Sequence, residues 1–186
     1  NGQFTAVLSL TGYLENPPLL RKGAQAGDAL YVTGTLGGSL LKKHHDFEPR
    51  LTEGQWLAQS QAVSSLMDIT DGLAKDLGEL IPDECAAYLE LDKIPLSDAA
   101  HQCAKASGRS AMEHAFCDGE DYELLLAVKK DSQLEVFERQ WLQNFPSTPL
   151  SQIGQLRKSE SKAPYIDSKT QEALPWIKGF EHLIEP

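Results

Sequence analysis

The sequence predicts an α+β domain in which a mixed β-sheet is packed with helices. Short apolar runs of strand length, such as Ala29 to Thr33, Ala86 to Leu91 and the run ending at Val128, alternate with stretches of helical spacing. One of these places Leu73, Leu77, Leu80 and Ile81 on one face. The two kinds of segment do not follow the regular strand-helix-strand repeat of a parallel sheet, which leaves the mixed sheet.

Residues 4 to 10 read as an apolar strand with nothing before it to pair against, and Asn16-Pro17-Pro18 separates it from the rest of the chain. The domain boundary is placed there, with 1–18 as terminal strand and linker and 19–186 as the α+β domain. Gly27-Asp28 is a turn signal ahead of the strand Ala29 to Thr33. Gly34 to Ser39 lacks the Gly-Lys-Ser/Thr ending of a P-loop and is expected to be a turn opening a helix at Ser39-Leu40-Leu41. His44-His45 belong to a solvated linker, and Arg50 is expected to start a helix or to be structural.

Gly54 to Leu66 has apolar residues close to one helical face and hands over to a strand at Leu66 to Ile69. A helix over about 72 to 81 is stopped by Pro82, and the next strand is Ala86 to Leu91. Ser97-Asp98 start a helix that Gly108 ends, and Ala111 to Phe116 is a short helix. Ser132 to Asn144 is a helix with Leu134, Phe137, Trp141 and Leu142 inward, and Ile153 to Leu156 is a last strand. Arg157 to Ala163 is a polar loop, and the tail is anchored by Trp176 and Phe180.

Composition narrows the function. Hydrophobic residues make up 41% and charged residues 24%, as in soluble globular proteins. The net charge of −10, from 17 basic and 27 acidic residues, argues against a nucleic-acid surface, which needs a basic face. Three widely spaced cysteines form no C-x-x-C pair and read as reduced thiols of a cytoplasmic protein. No apolar stretch approaches the ~20 residues of a membrane span.

Two acidic stretches carry the chemistry. In Met67-Asp68-Ile69-Thr70-Asp71-Gly72-Leu73, two carboxylates bracket a hydroxyl at a strand-to-helix corner. Carboxylate oxygens there suit Mg²⁺, which takes one or two from the protein and completes its shell with water and phosphate. The alternative is that Thr70 or Asp71 merely caps the following helix. The second stretch, Asp118 to Glu123, puts four acids in six residues at the mouth of an apolar strand, denser than solubility alone requires.

Asp68-Ile69-Thr70-Asp71-Gly72-Leu73 with Asp76-Leu77, and further on Gly119-Glu120-Asp121-Tyr122-Glu123-Leu124, resembles the C-terminal half of thiamine-monophosphate kinases. That family shares a superfamily with aminoimidazole ribonucleotide synthetase, selenophosphate synthetase and a hydrogenase-maturation protein. Arg21-Lys22-Gly23-Ala24, Tyr31 to Gly37, Pro49-Arg50, Ile94-Pro95-Leu96, Ile153-Gly154 and Trp176 to His182 fall in the family's order, so the resemblance spans about residues 5 to 182.

The resemblance implies a fold like the C-terminal domain of aminoimidazole ribonucleotide synthetase, and phosphoryl transfer from ATP to thiamine monophosphate with Mg²⁺. Asp68 and Asp71 would then be metal ligands, and Thr70 and Arg21 would contact ATP. Glu120 and Phe180 would hold the thiamine part, and no catalytic acid or base is assigned. Thr70 stands where the family usually has serine, and Asp118 where it usually has the first of two glycines. The added charge of Asp118 is expected to crowd the substrate end or repel phosphate unless a metal compensates it.

The resemblance also implies a missing N-terminal ATP-binding domain of the same chain and a homodimer when intact. Neither nucleic acid nor membrane is an implied partner. The isolated 186 residues are expected to be inactive as a kinase. Two other readings stay open: a superfamily relative using ATP on another small molecule, and a piece that serves only for binding or association.

Overall fold

A computed structural model describes residues 5–13, 17–161 and 163–175. Its centre is a six-stranded sheet in the order β2-β4-β1-β5-β3-β6. The strands are β1 (Ala29–Thr33), β2 (Val63–Asp68), β3 (Cys85–Leu89), β4 (Leu124–Val128), β5 (Leu150–Lys158) and β6 (Tyr165–Asp167). All pairings are antiparallel except β3 with β6, so the expected mixed sheet is present.

The sheet is a middle layer. In β1 every residue is buried, and successive side chains enter opposite clusters because strand side chains alternate between faces. Leu30 and Val32 join Leu125 and Ala127 of β4 under α2 (Leu73–Leu80) and α4 (Ala111–Cys117). On the other face, Ala29 and Tyr31 join Leu126 and Val128 under α1 (Leu51–Gln59) and α5 (Leu134–Asn144). Trp56, Phe137 and Trp141 pack together there, and the Trp141 indole N–H donates to the Thr148 carbonyl at 2.7 Å. Helix α3 (Asp98–Ser107) lies against α4, capped by Ser97 at its start and by Gly108 in the left-handed region at its end.

Register decides which loops meet. Asp68 of β2 pairs with Leu124, Val32 pairs with Leu125 and Thr33 with Leu150. The C-terminal ends of β1 and β2 therefore share one rim with the N-terminal ends of β4 and β5. The loops 34–38, 69–72 and 118–123 all leave from that rim.

Several expectations are corrected. Residues 5–13 form no strand, and Val7, Leu8 and Leu10 are 84–90% exposed. The outer edge of β2 is met instead by Leu20 and Arg21, whose carbonyls accept from the Leu66 amide at 3.1 Å and the Ser65 hydroxyl at 2.6 Å. The helix expected over Gly54 to Leu66 spans Leu51–Gln59, because Ser60 turns extended and Val63 already pairs with Val128. Apolar residues three apart, such as Val63 and Leu66, fit a helical face as well as two positions of a strand, and pairing with β4 decides.

Leu142 points outward at 64% exposure while Phe137 and Trp141 face in. Ile153 to Leu156 is the middle of the longer β5, which absorbs Arg157 and Lys158, and β6 comes after it. Trp176 and Phe180 lie outside the described residues.

Candidate functional site

The corner after β2 is built by a buried carboxylate. Oδ2 of Asp76, in the first turn of α2, accepts from the backbone amides of Thr70 at 2.8 Å and Asp71 at 3.0 Å. Gly72 occupies the cap position with φ 96°, and a Cβ there would lie 2.7 Å from the Phe116 carbonyl oxygen. Neither Thr70 nor Asp71 caps the helix. Thr70 Oγ1 donates to Asp68 Oδ2 at 3.0 Å, and Lys75 Nζ pairs with Asp71 Oδ2 at 2.6 Å. Burial pushes the Asp76 carboxyl up to about 6; the two amides oppose the rise, and the charges of Asp71 and Asp68 add to it.

The second acidic stretch is stitched to this corner through its backbone. The Glu120 amide donates to the Thr70 carbonyl at 2.7 Å, the Tyr122 amide to the Ile69 carbonyl at 2.9 Å, and the Ile69 amide to the Glu123 carbonyl at 2.8 Å. Glu120 and Tyr122 adopt φ of 55° and 52°, a region that non-glycine residues enter at a cost. Phe47 covers Tyr122, with ring centroids 4.2 Å apart.

Glu123, only 2% exposed at its side chain, is the hub behind the loop. Arg50 grips it with Nε at 2.8 Å and a terminal nitrogen at 3.0 Å; Lys43 and the Thr33 hydroxyl each donate at 2.8 Å. Burial works to raise this carboxyl, but those donors together outweigh it and hold it below the ordinary glutamate value.

Asp121 is fully buried. Its Oδ1 accepts from the Gly37 amide at 2.8 Å, while Oδ2 has no partner among the described residues. Burial pushes it up to about 7, despite the Gly37 N–H and Lys43.

Asp118 departs from expectation. Its side chain is 5% exposed and turns away from the corner, with Oδ2 2.8 Å from His114 Nδ1 and Oδ1 3.3 Å from Arg109. The charge expected to repel phosphate is faced by the Arg109 guanidinium.

Most of the residues assigned from the sequence meet at one place. Asp68 and Thr70, exposed, and Asp71 and Glu120, half-buried, come together at the corner. Arg21 is exposed; its backbone lies beside Ser65, three residues before Asp68. Phe180 lies outside the described residues. Arg50 is structural and starts α1 as expected, but sequence reasoning did not find its fork on Glu123, the bonds of Asp76 under the corner, or His114 facing Asp118. The spacing of Asp76, one turn into an amphipathic helix that starts without a side-chain cap, was the available signal for the second.

The donor set at the corner fits a hard divalent ion. It offers two carboxylates and a hydroxyl within four residues, Asp68 and Thr70 exposed and Asp71 half-buried, on a backbone that Asp76 holds from below. Lys75 Nζ, paired with Asp71 Oδ2, is the cation that a metal ion would have to displace or share there.

The model of the AIR synthase related protein, C-terminal domain, matches residues 25–167. A thiamine-monophosphate kinase of Rhodopirellula baltica is 38% identical over 157 residues, covering 84% of this chain and 48% of that protein. The crystal structure of thiamine-monophosphate kinase from Stenotrophomonas maltophilia K279a superposes with a TM-score of 0.60 at 28% identity, covering 76% of this chain and 51% of that one. AaThiL complexed with AMPPCP and TMP superposes at 0.63 with 25% identity, covering 89% and 54%. The chain spans about half the length of these relatives.

Proposed function

Because the chain belongs to the family of AIR synthase related proteins through their C-terminal domain, we propose that it forms the C-terminal half of a kinase that phosphorylates thiamine monophosphate to thiamine diphosphate with ATP and Mg²⁺. The observation that carries this reading is the backbone stitch that puts the Asp68-Thr70-Asp71 corner against Glu120. It sets a candidate metal and phosphate site beside a candidate substrate acid. The names of the relatives, and the AMPPCP and TMP held by one of them, support the choice of nucleotide and acceptor.

In this reading Asp68 and Asp71 hold the metal, which when bound neutralises phosphate charge so that two anions can approach in line. Thr70 turns its hydroxyl from Asp68 to a phosphate oxygen, an exchange that costs little because the acceptor type is unchanged. Asp76 keeps the amides of Thr70 and Asp71 pointed inward, so that hydroxyl and carboxylate face the rim. Arg21 reaches ATP, and Glu120 with Phe180 holds the thiamine part. The part of the relatives that this chain does not span supplies the rest of the nucleotide site and a homodimer contact, with residues 1–18 leading from it, in the cytoplasm.

The test is thiamine diphosphate formation by the full-length protein carrying this chain, supplied with ATP, Mg²⁺ and thiamine monophosphate. Product formation supports the reading. A folded protein that makes none, while transferring phosphate to another small acceptor, overturns the substrate.

A further inference from the structure

Behind the acidic loop, α3 and α4 bring together a sulfur, a nitrogen and an oxygen donor that the proposed kinase reaction does not use. Cys103 lies one turn before Ser107 on α3, and His114 one turn before Asp118, the residue that caps the end of α4 in helical conformation, so each pair shares a helix face. One ligand atom each of Cys103, His114 and Asp118 lies within 4.8 Å of the others. His114 is 5% exposed and Asp118 5% at its side chain, so the group is walled off from bulk water, while the half-buried Cys103 leaves a way in. Cys103 is in no disulfide.

We propose that Cys103, His114 and Asp118 form a binding site for a borderline-soft divalent ion of the zinc type, separate from the hard-ion corner at Asp68 and Asp71. Thiolate, imidazole and carboxylate suit Zn²⁺, which takes about 2.0–2.3 Å to such atoms in tetrahedral geometry, whereas Mg²⁺ prefers oxygen alone.

The ion takes the place of the proton held between His114 Nδ1 and Asp118 Oδ2, which are 2.8 Å apart. The surrounding groups have the form of an outer shell. Ser107 Oγ sits 2.8 Å from the other imidazole nitrogen, Nε2, and fixes the ring, while Arg109 holds the other carboxylate oxygen at 3.3 Å. A thiolate and a carboxylate balance the charge of the ion, and a water completes the fourth position. Held by Cys103 of α3, His114 of α4 and Asp118, the ion would join both helices to the start of the acidic loop, and Asp118 Oδ2, 3.4 Å from the Gly38 amide, extends the contact to the loop 34–38.

The test is a Co²⁺ titration of the full chain under a non-thiol reductant, monitored by absorption. The expected result is one equivalent bound, with a thiolate-to-cobalt charge-transfer band and tetrahedral d–d bands, all displaced by Zn²⁺. Cys103→Ser abolishes the charge-transfer band, and His114→Gln weakens binding at least about tenfold. Cys85→Ser, Cys117→Ser, Asp68→Asn and Asp71→Asn leave the band intact. Circular dichroism checks that each variant is folded. No charge-transfer band in the folded protein overturns the proposal, as does a band that survives Cys103→Ser or is lost in Cys117→Ser. The band reports a thiolate and not phosphoryl transfer, so its absence leaves the kinase reading standing, and failure of that reading leaves this site standing.

Discussion

The Glu120 amide donates to the Thr70 carbonyl at 2.7 Å, and this bond makes two acidic stretches, fifty residues apart in the chain, a single rigid corner. To make it, Glu120 takes φ 55°, and Tyr122 takes φ 52° for its own bond to Ile69. Such conformations cost on the order of 1 kcal/mol or more each and persist where the surroundings over-determine them. The result is that the Glu120 backbone is held against the corner that carries Asp68, Thr70 and Asp71.

Glu120→Asn tests that arrangement. Asparagine enters the left-handed region more easily, so stability should stay equal or rise by up to about 1 kcal/mol. The KM for thiamine monophosphate should rise, because the acid proposed to hold the thiamine part is gone. Urea unfolding beside steady-state kinetics separates the two effects; a fall in stability with an unchanged KM would make Glu120 a structural residue only.

Arg50 and Lys43 share Glu123 unequally. The Arg50 side chain is 16% exposed and forks onto the carboxylate, whereas Lys43 is 26% exposed and makes one contact to it. Arg50→Ala should cost about 3 kcal/mol, since it leaves a buried charge short of its main partner, and Lys43→Ala about 1 kcal/mol or less. Equal losses in urea denaturation would mean that the fork contributes nothing special.

Asp121 should give the protein a pH dependence of definite sign. Its carboxyl rises from 3.8 to about 7 on folding, chiefly by burial, so the folded state binds the proton more tightly. This contribution is fully present below about pH 4 and is lost as pH rises through about 7. Asp76 acts in the same sense up to about 6, while Glu123 acts oppositely and only below its ordinary 4.5. Asp121→Asn keeps an acceptor for Gly37 and should flatten the fall in stability across that window, read as unfolding midpoints at several pH values. An unchanged slope would remove Asp121 as its source.

Much of the fold was legible because its signals were local. The run Ala29 to Thr33 and the spacing of Leu73, Leu77 and Leu80 specify a strand and a helix with little help from elsewhere. The handover between α1 and β2 was not legible, since Val63 and Leu66 fit both periods and only pairing with β4 selects one. Asp68, Thr70 and Asp71 could be named because they cluster in sequence, and Glu120 because its stretch resembles the family's motif. Arg50 could not be assigned to Glu123, 73 residues away, since no short-range pattern marks an ion pair that depends on tertiary approach. The surroundings of Asp118 were not legible either: its charge is visible in sequence, but Arg109 is brought to it by the turn between α3 and α4.

The most direct test of the central claim is the Mg²⁺ dependence of thiamine diphosphate formation in the full-length protein and its Asp71→Asn variant. Asparagine preserves shape and leaves the Asp76 bonds to the backbone of the corner in place, so the fold should hold. The account predicts that kcat/KM falls by about a hundredfold or more, roughly the 3 kcal/mol expected from loss of a charged ligand to the transferred phosphate's metal, and that more Mg²⁺ is needed for half-maximal rate. Turnover and Mg²⁺ dependence equal to those of the unmodified protein would contradict it.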